Sequence, residues 1–419
     1  MAAYPAAVPA RPAVSSTPLA ERALLGILFV TMLLSSVAFV EPSPHDGMMI
    51  VLAAACLIAG VAIDRTTGLL IMLLVIWNVA GLLALANVAG ESKTIQYAAT
   101  SIYLALVTIV FACLVSRNTM GRLASLRSGY IASAVVAAIA GVSGHFHLFP
   151  GAGVFEEYGG RAQGMFKDPN VYAPYLIWPT LLVMSRLLLR GFFVRDISIL
   201  GVLLGGIFLS FSRGAWGHLV ASAAVMLVLF LLTAPTPRMR MRITTIGLAG
   251  VAAIAVLLLA LLSLDSVRGL FFERAQAIQS YDVGQGGRFQ LQELALSALL
   301  DFPLGMGPFE FGRVYGLQQH NVYLQAFLVY GWFGGFSYLL LLVATFVIGF
   351  RALRIATPWQ PYLVTAYAAV AGEVGEGFII DTDHWRHFFL LLGMVWGLSA
   401  ATIRSARTSQ GLLPAVAPR

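Results

Sequence analysis

Residues 243–264 read ITTIGLAGVAAIAVLLLALLSL and contain no charged side chain. An α-helix of about twenty apolar residues spans the roughly 30 Å hydrocarbon core of a bilayer. Similar runs recur along the 419-residue chain, which is 59% hydrophobic and 11% charged, with a mean hydropathy of +0.85. Soluble domains carry about 25% charged residues, so the composition predicts an all-α polytopic membrane protein. The alternating pattern of an outer-membrane barrel is absent.

Hydropathy predicts about twelve transmembrane helices. Their expected positions are 21–40, 47–63, 67–88, 97–115, 129–145, 171–188, 197–211, 214–232, 243–264, 321–350, 361–380 and 386–404. A straight helix over 321–350 would be about 45 Å long, well beyond the bilayer core. We therefore expect this helix to begin outside the membrane or to bend, with Gly331, Gly334 and Gly335 at the bend.

The chain is predicted to have three parts. The Ala/Pro-rich residues 1–20 are expected to be a disordered cytoplasmic N-terminus, residues 21–404 a single transmembrane domain and residues 405–419 a cytoplasmic tail. No convincing small-residue cleavage site follows the first apolar run, so this run is expected to remain as an anchor. Cys56 and Cys113 fall inside predicted helices, which suggests neither a disulfide framework nor a metal cluster.

The positions of the basic residues predict the orientation, because cytoplasmic loops of membrane proteins are enriched in Lys and Arg. Seventeen of the 26 basic residues fall on one side of the predicted helices, with only three acids, Glu21, Asp64 and Asp196. The seventeen are Arg11, Arg22, Arg65, Arg117, Arg122, Arg127, Arg186, Arg190, Arg195, Arg238, Arg240, Arg242, Arg351, Arg354, Arg404, Arg407 and Arg419. Both termini are therefore expected in the cytoplasm, and the formal charge of +7 requires no nucleic-acid partner.

Nine basic residues remain on the opposite, external side, where orientation does not require them. They are Lys93, Arg161, Lys167, Arg213, Arg268, Arg274, Arg288, Arg313 and Arg386. Two long loops, 146–170 and 265–320, lie on this side and are predicted to roof an external cavity. In the second loop, apolar residues at 291, 294, 295 and 298 predict an amphipathic helix over 288–300 that ends before Asp301. We expect the protein to act at this external face.

Four segments carry a family resemblance. In chain order they read GMFKDPNVYAPYL (164–176), LSFSRGAWGHL (209–219), GRFQLQELALSALLDFPLGMGPFEFG (287–312) and QQHNVYLQAFLVYGWFGGF (318–336). Together they resemble, in the same order, the motifs of the O-antigen ligase and Wzy-type polymerase superfamily. The resemblance covers roughly 160–340, whereas the first four predicted helices match only as hydrophobic helices.

This resemblance implies a membrane glycosyltransferase fold of the GT-C type. Family members transfer a glycan from an undecaprenyl-diphosphate carrier to an acceptor sugar at the periplasmic face of the bacterial inner membrane. The transfer is expected to be a single inverting displacement that uses no cofactor, nucleotide sugar or metal ion. The expected partners of this chain are therefore the lipid-linked donor, a lipid A-core or lipid-linked glycan acceptor, and membrane lipids.

The implied reaction releases a lipid diphosphate of high negative charge, which requires a cationic group at the membrane surface. Arginine suits this role because its planar fork binds two phosphate oxygens and stays charged. Arg213, in the short turn SFSRG between two predicted helices, matches the family's diphosphate-binding arginine, and Arg288 matches a second donor contact. The alternatives are an interfacial arginine at 213 and a solvated loop arginine at 288.

His320 lies just before a predicted helix and matches the family's essential histidine. A sugar hydroxyl is a poor nucleophile until its proton is removed, and histidine, with a reference pKa near 6.5, suits the role of base at neutral pH. The alternative is a histidine that caps the helix or bonds to a loop carbonyl. Asn321 is expected to orient the loop or the histidine, and Tyr323 and Trp332 to contribute packing.

Further residues are predicted to bind substrate. They are Arg161, Lys167, Asn170, Ser212, Arg313, Asn321, Asp383, His384 and Arg386. Asp168, which precedes Pro169, is expected to cap a helix instead. The cluster DTDHWRH (381–387) could bind an acceptor sugar, contact Arg213 or form a plain interfacial ion-pair network.

Transport is the alternative class of function. A major-facilitator transporter would also have about twelve helices, but GVAIDRTTGLL (60–70) lacks the two terminal basic residues of that family's loop motif. A lipid-glycan flippase would use a basic cavity open to both faces, whereas the basic residues not needed for orientation lie on one. Within the resembled superfamily, the motifs do not separate a ligase from a polymerase of O-antigen or exopolysaccharide units. The compact chain and the loop 265–320 favour the ligase.

Overall fold

The structure is a computed structural model that describes residues 19–60, 63–88, 90–157, 159–276, 282–284 and 286–409. Most of the predicted disordered N-terminus and of the predicted cytoplasmic tail therefore lies outside the described residues. The described parts of these two segments, Leu19, Ala20 and residues 405–409, are helical and belong to the first and last helices.

The described residues form fifteen α-helices and one short hairpin. The helices are α1 Leu19–Leu33, α2 Pro44–Ala59, α3 Arg65–Ala84, α4 Ser92–Ser116, α5 Thr119–His145, α6 Pro169–Arg190, α7 Val194–Leu209, α8 Arg213–Thr233, α9 Pro237–Leu262, α10 Asp265–Arg274, α11 Arg288–Asp301, α12 Glu310–Tyr315, α13 Val322–Leu353, α14 Gln360–Glu376 and α15 Arg386–Ser409. The hairpin pairs β1 Glu156–Glu157 with β2 Arg161–Ala162 in antiparallel register. The all-α class predicted from composition is confirmed.

Each of the twelve predicted transmembrane segments coincides with one helix. Nine helical segments in the described part of the chain are long and apolar enough to cross a membrane, namely α1 together with its 3₁₀ extension Leu34–Ser36, α3, α4, α5, α6, α8, α9, α13 and α15. The other three, α2, α7 and α14, contain 16, 16 and 17 residues. The multi-pass helical architecture is confirmed, and the number twelve stays a prediction.

Ion pairs between arginines and acids mark the two ends of the helix bundle. At the basic end, Arg404 near the end of α15 lies 3.8 Å from Asp64. At the opposite end, the cavity end, Arg386 at the start of α15 lies 2.8 Å from Asp46. All three acids predicted on the cytoplasmic side pair with arginines predicted on that side. Charged residues predicted on the cytoplasmic side thus lie at one end of the bundle, and Arg386, predicted on the external side, lies at the other.

The three shorter helices also run between these two ends. The segment containing α2 is bounded by Asp46 and Asp64, which pair with the two ends of α15. In α7, Asp196 pairs with Arg186 near the start, and the last turn leads directly to residues of the cavity described in the next subsection. In α14, Tyr362 accepts a hydrogen bond from Arg127 at the basic end. The three helices thus connect the two ends of the bundle, and their crossing of a membrane stays a prediction.

The apolar core lies where long helices pack closely. α15 packs along α4 and α14 along α8, and glycines permit the close approach. A Cβ atom at Gly393 or Gly397 of α15 would lie 2.7 or 2.4 Å from backbone oxygens of α4. Within α9, by contrast, Ile243 is the one buried residue. This pattern fits a helix that faces lipid, because lipid tails are as apolar as its side chains.

Side-chain caps decide where several helices begin. The side chain of Asp168 accepts the backbone N–H of Asn170 at 2.7 Å, so the predicted cap of α6 is confirmed, with Pro169 as the first helical residue. Ser43 and Asp46 form a reciprocal capping box at the start of α2. Asp64 accepts the backbone N–H of Thr67 at the start of α3. These local signals are readable in the sequence because they depend on neighbouring residues.

The helix α13 breaks at Gly331, as predicted from the length of the run. This glycine has φ 68° and ψ −176°, whereas Gly334 and Gly335 remain helical. A turn that follows α11 satisfies backbone groups on both sides of the break. Leu328 O accepts the N–H of Met306 at 2.6 Å, and Trp332 donates its N–H to Pro303 O at 2.9 Å. The break therefore couples the long loop to a membrane helix.

The predicted amphipathic helix is confirmed as α11, which ends one residue later than expected, at Asp301. Its buried residues Leu291, Ala295 and Ala298 pack with Leu328 of α13. The hairpin and the short helices α10 and α12 were not expected from the sequence, because their few apolar residues show no clear periodicity.

Replacing Gly331 by Ala should destabilise the protein. The backbone conformation at this position is nearly exclusive to glycine, and a Cβ atom would lie 2.6 Å from the carbonyl carbon of Leu304. The strain alone is on the order of 1–3 kcal/mol, which should lower the thermal unfolding midpoint in detergent. Gly250→Ala in α9, where a Cβ atom meets nothing within 4 Å, is the matched control. Equal midpoints for the two variants would contradict the role of the break.

Candidate active site

A main cavity of about 860 Å³ lies at the cavity end of the bundle, within the range of about 300–1,000 Å³ typical of ligand sites. Four helices begin around it. Asn170 of α6, Arg213 of α8, Arg288 of α11 and His320 just before α13 all line the wall. The first turn of a helix has unpaired N–H groups and a partial positive charge. The convergence of four such turns favours an anionic ligand.

Asp282 joins the two predicted diphosphate-binding arginines. Its Oδ2 atom lies 3.0 Å from Nη2 of Arg213, and its Oδ1 atom lies 3.4 Å from Nη1 of Arg288. Nη1 of Arg213 also donates to the carbonyl of Gln276 at 2.8 Å. Asp282 is buried, whereas each arginine side chain is about one-fifth exposed. Both guanidinium groups are thus held in place and still line the cavity.

The turns before α8 and α13 share one design. Phe211 and His320 have φ values of 50° and 49°, a left-handed conformation that costs non-glycine residues roughly 1–3 kcal/mol and is concentrated at functional sites. In each turn the next residue caps the helix. Ser212 accepts the N–H of Ala215 at 3.4 Å, and Asn321 accepts two N–H groups at 3.0 and 3.1 Å. The strained turns place Arg213 and His320 at the cavity.

His320 is paired with an acid that also lines the main cavity. Its Nδ1 atom lies 3.6 Å from Oδ2 of Asp381, in the loop between α14 and α15. Burial raises the pKa of the Asp381 carboxyl above its ordinary value, and the contact with His320 opposes this shift. The His320 side chain is 46% exposed, so the imidazole is accessible from the cavity while its orientation is set by the protein.

Apolar and aromatic side chains form much of the remaining wall. Phe271 of α10 stacks on Trp216 of α8 with ring centroids 5.7 Å apart. Phe289 and Ile379 add further apolar surface. A wall with cationic and apolar parts fits an anionic group carried on a lipid.

Part of the chain that includes much of this site matches a known protein family. Residues 198–339 match the O-antigen ligase family model, Wzy_C. The chain contains a domain of the O-antigen ligase superfamily. This confirms the resemblance found in the sequence, and the family comprises membrane glycosyltransferase-like enzymes that act on lipid-linked glycans. Among curated proteins, no sequence matches the chain.

The matched range contains most of the polar centre of the main cavity. Arg213, Asp282, Arg288 and His320 lie within the O-antigen ligase domain, and Asp381 lies beyond its end. The three residues predicted as catalytic therefore share one cavity, although they are up to 107 positions apart in sequence. Their chemical roles stay predictions.

Three predicted substrate-binding residues, Arg161, Asn170 and Ser212, also line the main cavity. Arg161 is 7% exposed and binds protein atoms through its whole fork. Nε donates to Ser210 O at 3.0 Å, Nη2 to Oδ1 of Asn170 at 2.8 Å and Nη1 to Oε2 of Glu157 at 3.0 Å. Arg161 thus connects the hairpin to the end of α7 and the start of α6, which indicates a supporting role.

Three other predicted substrate-binding residues line a separate side cavity of about 170 Å³: Lys167, His384 and Arg386. The side cavity shares Asp168 and Trp385 with the main cavity. The guanidinium of Arg386 makes two hydrogen bonds to Asp46, at 2.9 and 2.8 Å. For this part of the 381–387 cluster, the structure favours the ion-pair interpretation.

The last three predicted substrate-binding residues, Arg313, Asn321 and Asp383, line neither cavity. Arg313 pairs with Glu310, and Asp383 accepts a hydrogen bond from Tyr97. Asn321 uses its oxygen to cap α13 and donates from Nδ2 to Phe378 O at 3.2 Å. These contacts indicate local ion pairing and helix capping, and direct substrate contact at the three positions stays a prediction.

Sequence reasoning missed Arg274, Gln276 and Asp282 as parts of the cavity wall. They lie in the loop 265–320, where no periodic pattern or motif distinguishes one polar residue from the next. In the described ranges, no group of three or more His, Cys, Asp or Glu residues could hold a metal ion. The polar wall of the cavity includes four arginines, Arg161, Arg213, Arg274 and Arg288, and four acids, Asp168, Asp282, Glu376 and Asp381.

Two buried acid–histidine pairs extend behind the main cavity. Glu376 lines the cavity, and its Oε2 atom lies 2.8 Å from Nδ1 of His218. Nε2 of His218 lies 3.1 Å from Ala369 O, and because a carbonyl only accepts, this nitrogen carries a proton. The second pair joins Glu373 and His387 at 3.3 Å. His218 thus fixes the carboxyl of Glu376 beside the cavity.

Arg161→Lys should destabilise the protein, because lysine cannot replace a fork that reaches three acceptors. The lost hydrogen bonds of a buried charged group correspond to a cost on the order of 1–3 kcal/mol. We expect a lower thermal unfolding midpoint in detergent, with Arg268→Lys, an exposed arginine paired with Asp265, unchanged. An unaltered midpoint combined with weaker donor binding would instead support the direct substrate contact predicted from the sequence.

Proposed function

We propose that the protein transfers a glycan from an undecaprenyl-diphosphate-linked donor to an acceptor sugar at the periplasmic face of the bacterial inner membrane. We further propose that the acceptor is lipid A-core, as for an O-antigen ligase, and that the transfer is inverting and independent of metal ions. The observation that carries the proposal is that His320, Arg213 and Arg288 line one cavity within a chain of the O-antigen ligase superfamily.

The donor diphosphate would bind between the starts of α8 and α11. Arg213 and Arg288 come from different helices and meet at one point, the carboxylate of Asp282. Two guanidinium groups can together bind several phosphate oxygens and stabilise the charge that develops on the leaving diphosphate. The aromatic wall formed by Phe271 and Trp216 suits the adjoining lipid chain.

The acceptor hydroxyl would react from the side of His320. With Nδ1 directed toward Asp381, Nε2 is the nitrogen available to take the hydroxyl proton. The hydroxyl oxygen bonds to the anomeric carbon while the bond from that carbon to the diphosphate oxygen breaks. The proton stays on His320 until product release, and the electron pair leaves with the lipid diphosphate. A single displacement of this kind inverts the anomeric configuration.

His320→Ala and Arg213→Ala should both abolish most transfer. Removal of a general base lowers kcat by about 10²–10⁴-fold, and removal of one partner of a charged contact should lower kcat/KM at least about tenfold. The measurement is in vitro transfer from purified undecaprenyl-diphosphate-linked glycan, in EDTA, with lipid A-core and a lipid-linked repeat offered separately. His147→Ala and Arg268→Ala, at exposed positions outside the main cavity, are the matched controls.

The acceptor that receives the glycan decides between related activities. Product on lipid A-core that both variants abolish would support the ligase. Longer lipid-linked chains would identify a polymerase of O-antigen or exopolysaccharide units instead. Well-folded protein that transfers to neither acceptor would contradict the proposed enzyme and favour lipid-glycan transport.

A further inference from the structure

The arginine pair of the main cavity holds an anion that belongs to the protein. The carboxylate of Asp282 lies 3.0 Å from Arg213 and 3.4 Å from Arg288, and Asp282 is only 3% exposed. Its two oxygens face two guanidinium groups from the first residues of α8 and α11. This is the arrangement that a phosphate group of a bound ligand would make with the same two side chains.

A ligand phosphate can reach this position only by competing with the carboxylate. Asp282 is desolvated, so moving it away from both arginines leaves a buried charge without these partners, which is unfavourable. The incoming ligand must offset that loss through its own contacts with Arg213 and Arg288. Asp282 thereby sets a minimum on the negative charge that a ligand must bring.

Ligand charge separates the two kinds of phosphate present in a bacterial membrane. An anionic phospholipid such as phosphatidylglycerol has one negative charge on its phosphodiester, equal to the charge of the carboxylate it would replace. A lipid-linked diphosphate has at least two negative charges and more acceptor oxygens. The exchange of a carboxylate for a phosphodiester therefore gains little, whereas the exchange for a diphosphate gains charge and hydrogen bonds.

We propose that Asp282 is a specificity-determining residue: its carboxylate holds the arginine pair and admits diphosphates while rejecting the singly charged headgroups of membrane phospholipids. This inference rests on the proposed function, in which the main cavity binds the donor diphosphate. It assigns the residue a role in ligand selection rather than in the bond-making step.

The test compares binding of two probes to the full-length protein in detergent. Inorganic pyrophosphate and phosphatidylglycerol in mixed micelles are titrated separately, and the rise in thermal unfolding midpoint gives an apparent affinity for each. In the wild type, pyrophosphate should stabilise strongly and phosphatidylglycerol weakly, and Arg213→Ala should remove the pyrophosphate effect. In Asp282→Asn, phosphatidylglycerol should bind at least tenfold more tightly, and pyrophosphate should bind at least as tightly as in the wild type, because in the wild type each probe competes with the same carboxylate.

Matched variants separate the charge of Asp282 from its place in the fold. Asp282→Glu keeps the charge and should keep the discrimination, and Asp265→Asn, an exposed acid of α10 paired with Arg268, should behave as the wild type. Weaker pyrophosphate binding in a folded Asp282→Asn protein would overturn the proposal, because Asp282 would then serve only to position the arginines. A wild type that binds both probes equally would overturn it without any variant.

These binding measurements need neither acceptor nor turnover, so their failure differs from failure of the proposed function. If the wild-type protein discriminates between the probes but transfers no glycan, the proposed glycosyltransferase activity is contradicted. The role of Asp282 in selection is then still supported. If the wild-type protein transfers glycan but binds pyrophosphate and phosphatidylglycerol equally, the glycosyltransferase is supported and the role of Asp282 in selection is contradicted.

Discussion

Charged side chains in an apolar bundle must meet a partner, because an unpaired charge at bilayer depth costs at least about 2.5–3.5 kcal/mol. The structure meets this requirement by sorting ion pairs to the two ends of the helices. Asp46 and Asp64, at the two limits of the α2 segment, pair with Arg386 and Arg404 at the two ends of α15. These pairs lie at matching ends of neighbouring helices, so residues of one predicted side share an end of the bundle.

The cavity follows from where helices begin. Caps at Asp168, Ser212 and Asn321 stop α6, α8 and α13 at the same end, and their first turns contribute positive potential to a common space. At the break in α13 at Gly331, backbone hydrogen bonds connect the turn after α11 to both halves of the helix. These bonds attach the loop that contains Arg288 to a membrane helix. The site is therefore built by helix termini and loops, held in place by a rigid bundle.

The site combines paired charges with an accessible imidazole. Arg213 and Arg288 share the carboxylate of Asp282, which balances one of their two positive charges. His320 keeps half of its side chain accessible beside Asp381, while His218 and Glu376 form a buried pair immediately behind the wall. Such an arrangement is suited to the proposed reaction, which needs an anion site and a base next to an apolar surface.

Features that depend on neighbouring residues can be read from the sequence. Apolar runs predicted the helices, the length of the run 321–350 predicted a bend at Gly331, Gly334 and Gly335, of which Gly331 is the break, and Asp168 with Pro169 predicted a cap. The motifs around Arg213, Arg288 and His320 identified the family. These signals are local in the chain, or are short motifs, and can be read without knowledge of the packing.

Which side chains meet across the bundle is visible only in the folded protein. Asp46 and Arg386 are 340 positions apart, and nothing in either neighbourhood specifies the other. The same holds for Asp282, whose loop has no pattern, and for Lys167, which faces the side cavity rather than the site of His320. Arg161 joins separate elements through its three acceptors, a structural role that its neighbours in sequence do not reveal. Pairing across a bundle depends on the relative position of whole helices, which the packing of the complete core sets.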